Sequence, residues 1–389
     1  MGKLGLPSVM AKVAMVVSNS CAPDPRVLRS AFWLVEAGHQ VTIHAFDRLQ
    51  LHAKSESTHG ARIMRYHLGE IPYGGMRKTI KGILQFVKRV KASLIHSPPD
   101  LIYCHDADTL SVAVSLKKSH QIPFVFDMHD LHHTWIRMPS PNSILRKLLS
   151  RKLEATMLRQ ASKADAIITT SGKIEGGKFD GFEQYLQSKN LASTVVENRP
   201  LEMSIPQQEP SDNKQWTIGY LGRVRELKTF TLMLEAIKLI PATERPNIII
   251  AGDGTKAKEV QQLMMDAVEF GEIEAEVSGA FTSSQFQELV GQLDVMFALY
   301  PPNRGNISQG ALPVKMFDAA AHGVPSIVNS NCLMGELAEY EEIGIAVRWD
   351  DPQAACDALL ELRGTIVELR ITSQREKDKF LSAVLPLLD

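Results

Sequence analysis

Long apolar runs, paired cysteines and an excess of either charge are all missing from this 389-residue sequence. No stretch approaches the ~18 apolar residues that a membrane-spanning helix requires, so no transmembrane segment is expected. The four cysteines, Cys21, Cys104, Cys332 and Cys356, lie far apart. Their spacing argues against a zinc ribbon or a dense disulfide framework and suits a reducing cytoplasm. A formal charge of −1 supplies no bulk attraction for nucleic acid, so none is expected as a partner. At the start, Leu6 stands where a myristoylation signal needs Ser or Thr, and no secretory apolar segment follows, so these residues read as a lead-in. The first apolar run is followed by no Gly-x-Gly-x-x-Gly turn, which argues against a nicotinamide-dependent dehydrogenase.

What is present is the composition of an ordinary globular chain, 44% hydrophobic and 22% charged, about twice the length of a usual domain. Short apolar runs alternate with helical stretches, the pattern of βα units wound around parallel sheets. In the first half, strands are expected at Val13 to Val17, Val41 to Ala45, Arg62 to Tyr66, Leu101 to Cys104, Phe124 to Asp127 and Ala166 to Thr169. Glu197 to Gln215, with Pro200, Pro206 and Pro210 among polar residues, reads as a linker. The alternation restarts at Thr217 to Leu221, Asn247 to Ala251, Glu274 to Val277, Val295 to Ala298 and Ser326 to Val328. The fold class is therefore α/β, with two Rossmann-like lobes expected to face an interdomain cleft. The domains fall at 1–198, a linker at 199–215, a second lobe at 216–364, and a terminal helical stretch at 365–389 expected to return to the first lobe. There is no internal repeat.

Open sheets of this kind bind ligands beyond the carboxyl ends of their strands, so the strand-to-helix loops carry the chemistry. In the second lobe, Gly219 to Leu221 lead into Gly222-Arg223-Val224-Arg225-Glu226-Leu227-Lys228 and a helix. Gly222 lets backbone approach a ligand, Arg223 can grip a phosphate bidentately, Lys228 adds a point charge, and the helix start offers free N–H groups. The same residues alone fit a solvated surface turn. A second loop, Gln309-Gly310-Ala311-Leu312, runs into a helix starting near Pro313, through Val314-Lys315-Met316-Phe317-Asp318, and stops at Gly323 before Pro325 and a strand.

Here the chain resembles the family 4 glycosyltransferases (glycosyltransferase group 1), whose second lobe carries Pro-x-Lys-x-Phe-Glu and then Gly-x-Pro. Lys315, Phe317, Asp318, Gly323 and Pro325 fall on that pattern, with Asp318 in place of Glu. The resemblance implies the GT-B architecture and a nucleotide-diphosphate sugar as donor. It implies that Asp318 meets the ribose, that amides of the loop with Leu312 and Pro313 meet the phosphates, and that Gly254 in Gly252-Asp253-Gly254 lies near the nucleotide. Many members carry a Glu eight positions before the acidic residue, against the donor sugar; Gly310 occupies it here. In the first lobe Asp24-Pro25-Arg26-Val27, His105-Asp106-Ala107-Asp108 and Asp127-Met128-His129-Asp130 resemble family elements. They imply an acceptor side at Arg26, His105 and Asp106 and a donor-sugar contact at His129.

The resulting expectation is a retaining, metal-independent hexosyltransferase that acts in polysaccharide, lipopolysaccharide or glycolipid synthesis and needs no cofactor. Arg223, Lys228 and His129 are its catalytic residues. As the donor's glycosidic bond breaks, charge grows on the diphosphate, where the two cations are best placed to stabilise it. His129, His132 and His133 could also be read as metal ligands, but His132 and His133 are expected to cap or pack a loop. From Arg77 to Lys91 six cations and no acid accompany Ile80, Ile83, Leu84, Phe86 and Val87. That basic amphipathic pattern suits peripheral contact with anionic lipid and delivery to a lipid-linked acceptor, and equally a solvated helix over the core. Arg146, Lys147, Arg151 and Lys152 beside Leu145, Leu148, Leu149 and Leu153 extend it. Two other readings stay open: a sugar-nucleotide epimerase of GT-B shape, and an inactive sugar-nucleotide-binding scaffold.

Overall fold

Strands that are covered by helices on both faces are apolar along their whole length rather than alternately, and Lys12–Val17, Leu101–His105 and Phe124–Met128 are buried almost throughout. They form the centre of the first of two compact units. The structure, a computed structural model, describes residues 10–388 except 23, 72–75, 138–139, 141, 201–214 and 302–305, with backbone only for Met76, Arg77 and Ser283. Nearly all of the expected 199–215 linker lies outside the described residues. Among the described residues no helix is long and apolar enough to cross a membrane.

The first unit comprises residues 1–171, 182–197 and 374–389. Its elements in chain order are β1 (Lys12–Val17), α1 (Pro25–Glu36), β2 (Gln40–Phe46), β3 (Ser55–Thr58), β4 (Ala61–Tyr66), α2 (Met76–His96), β5 (Leu101–His105), α3 (Leu110–His120), β6 (Phe124–Met128), α4 (His132–Trp135), α5 (Ile144–Ala161), β7 (Ala166–Thr169), α6 (Phe182–Gln187) and β8 (Thr194–Val195). They build an eight-stranded sheet in the order β3-β4-β2-β1-β5-β6-β7-β8, parallel except for β3, which runs against β4. All six expected strands are present. The order reverses between β1 and β5, so the loops after these two strands flank the crevice where such sheets bind ligands.

The second unit comprises residues 172–181 and 198–373. It contains β9 (Thr217–Leu221), α7 (Leu227–Lys238), β10 (Asn247–Ala251), α8 (Ala257–Glu269), β11 (Glu274–Ser278), α9 (Ser283–Val290), β12 (Val295–Ala298), α10 (Val314–Ala320), β13 (Ser326–Asn329), α11 (Leu333–Tyr340), β14 (Gly344–Val347) and α12 (Pro352–Leu362). Its six-stranded sheet is ordered β11-β10-β9-β12-β13-β14 and is parallel throughout. Its switch point lies between β9 and β12.

The last helix, α13 (Ser373–Val384), belongs to the first unit from Gln374 onward. Phe380 lies 5.3 Å from the Trp33 ring and 5.9 Å from that of Tyr103, and Phe380, Leu381 and Val384 join the core formed by β1, β2 and α1. Within the expected 365–389 helical stretch, helix begins only at Ser373.

Candidate functional site

In the first unit the carboxyl ends of β5 and β6 bring two carboxylates and three histidines together. Asp127, at the end of β6 and fully buried, accepts from Arg26: Nε lies 3.0 Å from both carboxylate oxygens and Nη2 2.6 Å from Oδ1. The Tyr103 hydroxyl donates to Oδ2 at 3.0 Å, and His105 Nδ1 lies 3.4 Å from the same oxygen. Arg26 follows the N-cap Asp24 and Pro25 at the start of α1, and its Nη1 donates to the Val196 carbonyl at 3.0 Å. Its guanidinium is thus held inside the unit. Burial alone would raise the Asp127 carboxyl, but Arg26 and then His105 hold it well below the usual carboxylate range.

Asp106 is the second centre. Its backbone is left-handed, φ 63°, which a short polar side chain tolerates better than most. One oxygen, Oδ2, lies 2.9 Å from His129 Nε2 and 3.2 Å from His132 Nε2. Burial opposes charge on all three groups. Asp106 nevertheless raises both histidines, His132 to about 10, and they in turn depress its carboxyl. The cluster is two imidazole rings sharing one carboxylate oxygen. The His132 ring also lies 4.6 Å from that of half-exposed Trp135. His133 instead packs on Tyr185, ring centroids 6.2 Å apart.

His105, Asp127 and His129 are the group of three among the described residues whose ligand atoms fall within 4.8 Å of one another. The donor set does not suit a cation. Both oxygens of Asp127 already accept from Arg26 and one from Tyr103, so an ion there would have to displace a guanidinium.

In the second unit the residues singled out gather at the carboxyl ends of β9 and β10 and at the start of α10. Gly222 follows β9 directly, and a Cβ there would lie 3.6 Å from Lys315 Cε and Nζ. Arg223 is exposed and donates from Nη1 to Asp253 Oδ1 at 2.6 Å. Lys228 is exposed in the first turn of α7. Gly254 has φ 157°, and a Cβ there would meet the Val224 carbonyl oxygen at 2.0 Å, so glycine lets the loops after β9 and β10 close on each other. Pro313 is the N-cap of α10 with Leu312 buried before it. Lys315 Nζ stands 3.3 Å from the centroid of the Tyr220 ring and 5.5 Å from that of Tyr300, an arrangement in which the ring faces stabilise the cation. Asp318, one turn on, is half-buried, and its carbonyl lies 2.8 Å from His322 Nδ1.

Gly310 has a structural reason. Its φ is 95°, and a Cβ would meet the Asp180 carbonyl oxygen at 2.5 Å and Gly181 Cα at 2.7 Å. The backbone of 172–181 fills the space that a side chain at 310 would take. That segment is fixed by Glu336 on α11, which accepts from the Lys178 amide at 2.6 Å and the Phe179 amide at 3.2 Å.

With two parallel sheets and these loops in place, residues 23–176 match the family described as Glycosyl transferase 4-like domain, and residues 215–364 match Glycosyl transferases group 1. The chain belongs to the GT-B glycosyltransferases of group 1, family 4 type. This glycosyltransferase is a sugar-transferring enzyme, as both matched families are. Its fold is shared with sucrose-phosphate synthase from Thermosynechococcus elongatus (14% identity, 97% of this chain and 96% of that one, TM-score 0.69). It is shared also with Anabaena Alr3699/HepE in complex with UDP and glucose (14%, 97% and 97%, 0.59) and with the catalytic domain of Arabidopsis thaliana starch synthase IV bound to ADP and acarbose (12%, 98% and 100%, 0.64). No curated protein matches the sequence.

Proposed function

We propose that this glycosyltransferase moves a sugar from a nucleoside-diphosphate sugar to a hydroxyl acceptor with retention of anomeric configuration, without metal or cofactor. The observation that carries the proposal is Arg223 in the loop before α7 and Lys228 in its first turn, both exposed, beside the switch point of a parallel sheet. UDP and ADP bound to proteins of the same fold support it. As the sugar–phosphate bond breaks, negative charge grows on the diphosphate, and these cations with the α7 amides stabilise it more than they do the ground state. Arg223 must exchange Asp253 for phosphate, an exposed pair worth little in water and readily given up. Gly222, Gly254, Leu312, Pro313, Lys315 and Asp318 complete the donor side in this reading. In the first unit the reading assigns catalysis to His129, held by Asp106 at the acceptor side; Arg26 and His105, expected on that side too, are buried around Asp127 and brace the loops from within. The acceptor proposed is a lipid-linked or polysaccharide hydroxyl, and the basic α2 within Arg77 to Lys91 supports a peripheral place at a membrane.

The test is a thermal-shift titration in the presence of a chelator, with UDP, GDP, ADP, CMP and their sugars, on the parent, Arg223→Ala and Lys228→Ala. A ligand at 100 times its Kd stabilises by about 2.7 kcal/mol, so a rise in Tm of several degrees for one nucleoside diphosphate is expected in the parent and not in either variant. A parent that responds to none of them sinks the donor assignment.

A further inference from the structure

The first unit exposes large apolar side chains where a solvated helix would carry polar ones. Ile144, Leu145 and Leu148, in the first turns of α5, are 76%, 76% and 55% exposed. At 100° per residue these three share the outward face, opposite the buried Ser150, Met157 and Ala161. Exposed Lys147, Arg151 and Lys152 surround them. The one acid of α5, Glu154, is turned to other work: it accepts from the Tyr185 hydroxyl at 2.9 Å and lies 3.7 Å from Lys189 Nζ. On α2, Ile80 and Leu84 are 49% and 63% exposed beside Lys81 and Lys88, and the helix contains no acid. Lys91, by contrast, is half-buried, and burial lowers its pKa.

Topology puts both groups on one surface. The crossovers β4 to β5, β5 to β6 and β6 to β7 all step in the same direction along the sheet. Being right-handed, they place α2, α3 and α5 on the same face, and α3 packs against both of the others. Each helix runs back against its strands, so its N-terminal half lies at their carboxyl edge. Ile80 and Leu84, and Ile144, Leu145 and Leu148, all sit in those N-terminal halves. The Asp106 cluster lies at the same edge, and α5 is tied to the loop behind it: Ser150 Oγ donates to the His133 carbonyl at 2.7 Å and Arg146 Nη1 to that of Ile136 at 2.8 Å.

We infer that the N-terminal turns of α5 form a membrane-docking element whose Ile144, Leu145 and Leu148 enter an anionic lipid surface, with Lys147, Arg151 and Lys152 on its headgroups and α2 as a second, shallower contact. The charge is what commits the face to anionic lipid: apolar tips ringed by cations with no outward acid complement an acidic interface. The inference deepens the peripheral placement proposed above, rests on that reading, and moves its main contact from α2 to α5. Docked in this way, the edge that carries His129 and Asp106 lies next to the bilayer.

The experiment is vesicle flotation of the full chain with phosphatidylcholine alone and with phosphatidylcholine mixed with phosphatidylglycerol. The variants are Ile144→Gln/Leu145→Gln/Leu148→Gln, Lys147→Gln/Arg151→Gln/Lys152→Gln, and Lys81→Gln/Lys88→Gln. The parent is expected to float with the anionic vesicles only. Removing three cations should weaken binding on the order of a hundredfold, removing the apolar tips at least about tenfold, and the α2 change less than either. The α5 charge variant alters only exposed side chains, so its folding is not in question. If it and the apolar variant float as the parent does while the α2 variant does not, the α5 inference is overturned and the α2 contact stands. A parent that floats with neither vesicle, or equally with both, overturns both. A parent that instead self-associates through this face, and becomes monomeric in the apolar variant, also overturns it. Nucleotide-dependent thermal shifts measured on the same samples report the transfer reading separately.

Discussion

Asp106 accepts from two imidazoles at once, and this makes His132 the most sensitive reporter in the first unit. Because the folded pKa of His132, about 10, lies above the ordinary value of about 6.5, its contribution to stability is full below about pH 6.5. It is lost as pH rises through about 10. Asp106 is depressed, so its share is full above about pH 3.9 and is lost as pH falls below that. Replacing Asp106 by Asn removes the main group that opposes burial at both rings. In Asp106→Asn, His132 is expected to titrate well below about 10, with Asp108 and Asp130 still opposing its burial, read from its imidazole proton shift in NMR. A His132 signal that already titrates at neutral pH in the parent would show that the shared carboxylate does not hold. None of this pairing was legible in the sequence. Asp106 and His132 are 26 positions apart, and a histidine after a strand carries no mark of which carboxylate it will meet, so capping or packing was the natural expectation for His132.

At the scale of elements, the segment 172–181 and the loop before α10 depend on each other at one residue. Gly310 combines φ 95° with a carbonyl oxygen 2.5 Å from where a Cβ would be, and backbone cannot yield as a flexible side chain can. Gly310→Ala is expected to cost about 1–3 kcal/mol in urea unfolding. Gly279 is the control: a Cβ there meets nothing within 4 Å, and Gly279→Ala should change stability by less than about 0.5 kcal/mol. Equal costs would mean that the strap does not wall off Gly310. The elements themselves were unevenly readable. The centres of both sheets were plain because strands such as β5 and β12 are buried on both faces and therefore apolar throughout. β3, Ser-Glu-Ser-Thr, is an exposed antiparallel edge with no apolar residue to reveal it. β8 has two residues, and β14 begins with a glycine whose Cβ would meet the Ser326 carbonyl at 2.1 Å. The 172–181 strap joins the second unit through Glu336 and Gly310, contacts more than a hundred residues away in sequence. Of the donor side, the residue types and their loops could be read; the Lys315 cation over Tyr220 could not, because ring and cation come from different βα units.

The whole molecule is assembled from segments that are not contiguous, and the tail shows what that implies. Residues 374–389 complete the first unit: Phe380, Leu381 and Val384 are buried in the core with Trp33, Tyr103 and the strand β1. Glu376, fully buried, accepts from the Glu197 amide at 2.7 Å and from Arg375 and Lys379. Removing the tail would expose the apolar face under Phe380 and leave the Glu197 amide without this acceptor. Truncating a single buried Phe costs about 3–5 kcal/mol, and a stability of about 5–15 kcal/mol is all a domain of this size holds. The second unit has its own cores, built from β9, β10, β12 and the helices around them, with no residue from the tail. Deleting residues 374–389 is therefore expected to raise amide hydrogen exchange throughout β1, β5 and β6, including the Asp106 and His129 loops, while β9, β10 and β12 keep their protection. Any nucleotide-dependent protection at Gly222 to Lys228 should persist in the truncated chain. Loss of protection spread evenly over both sheets would show that the two cores fold as one cooperative body, and that the tail is a clasp for the whole enzyme rather than for the unit that carries His129.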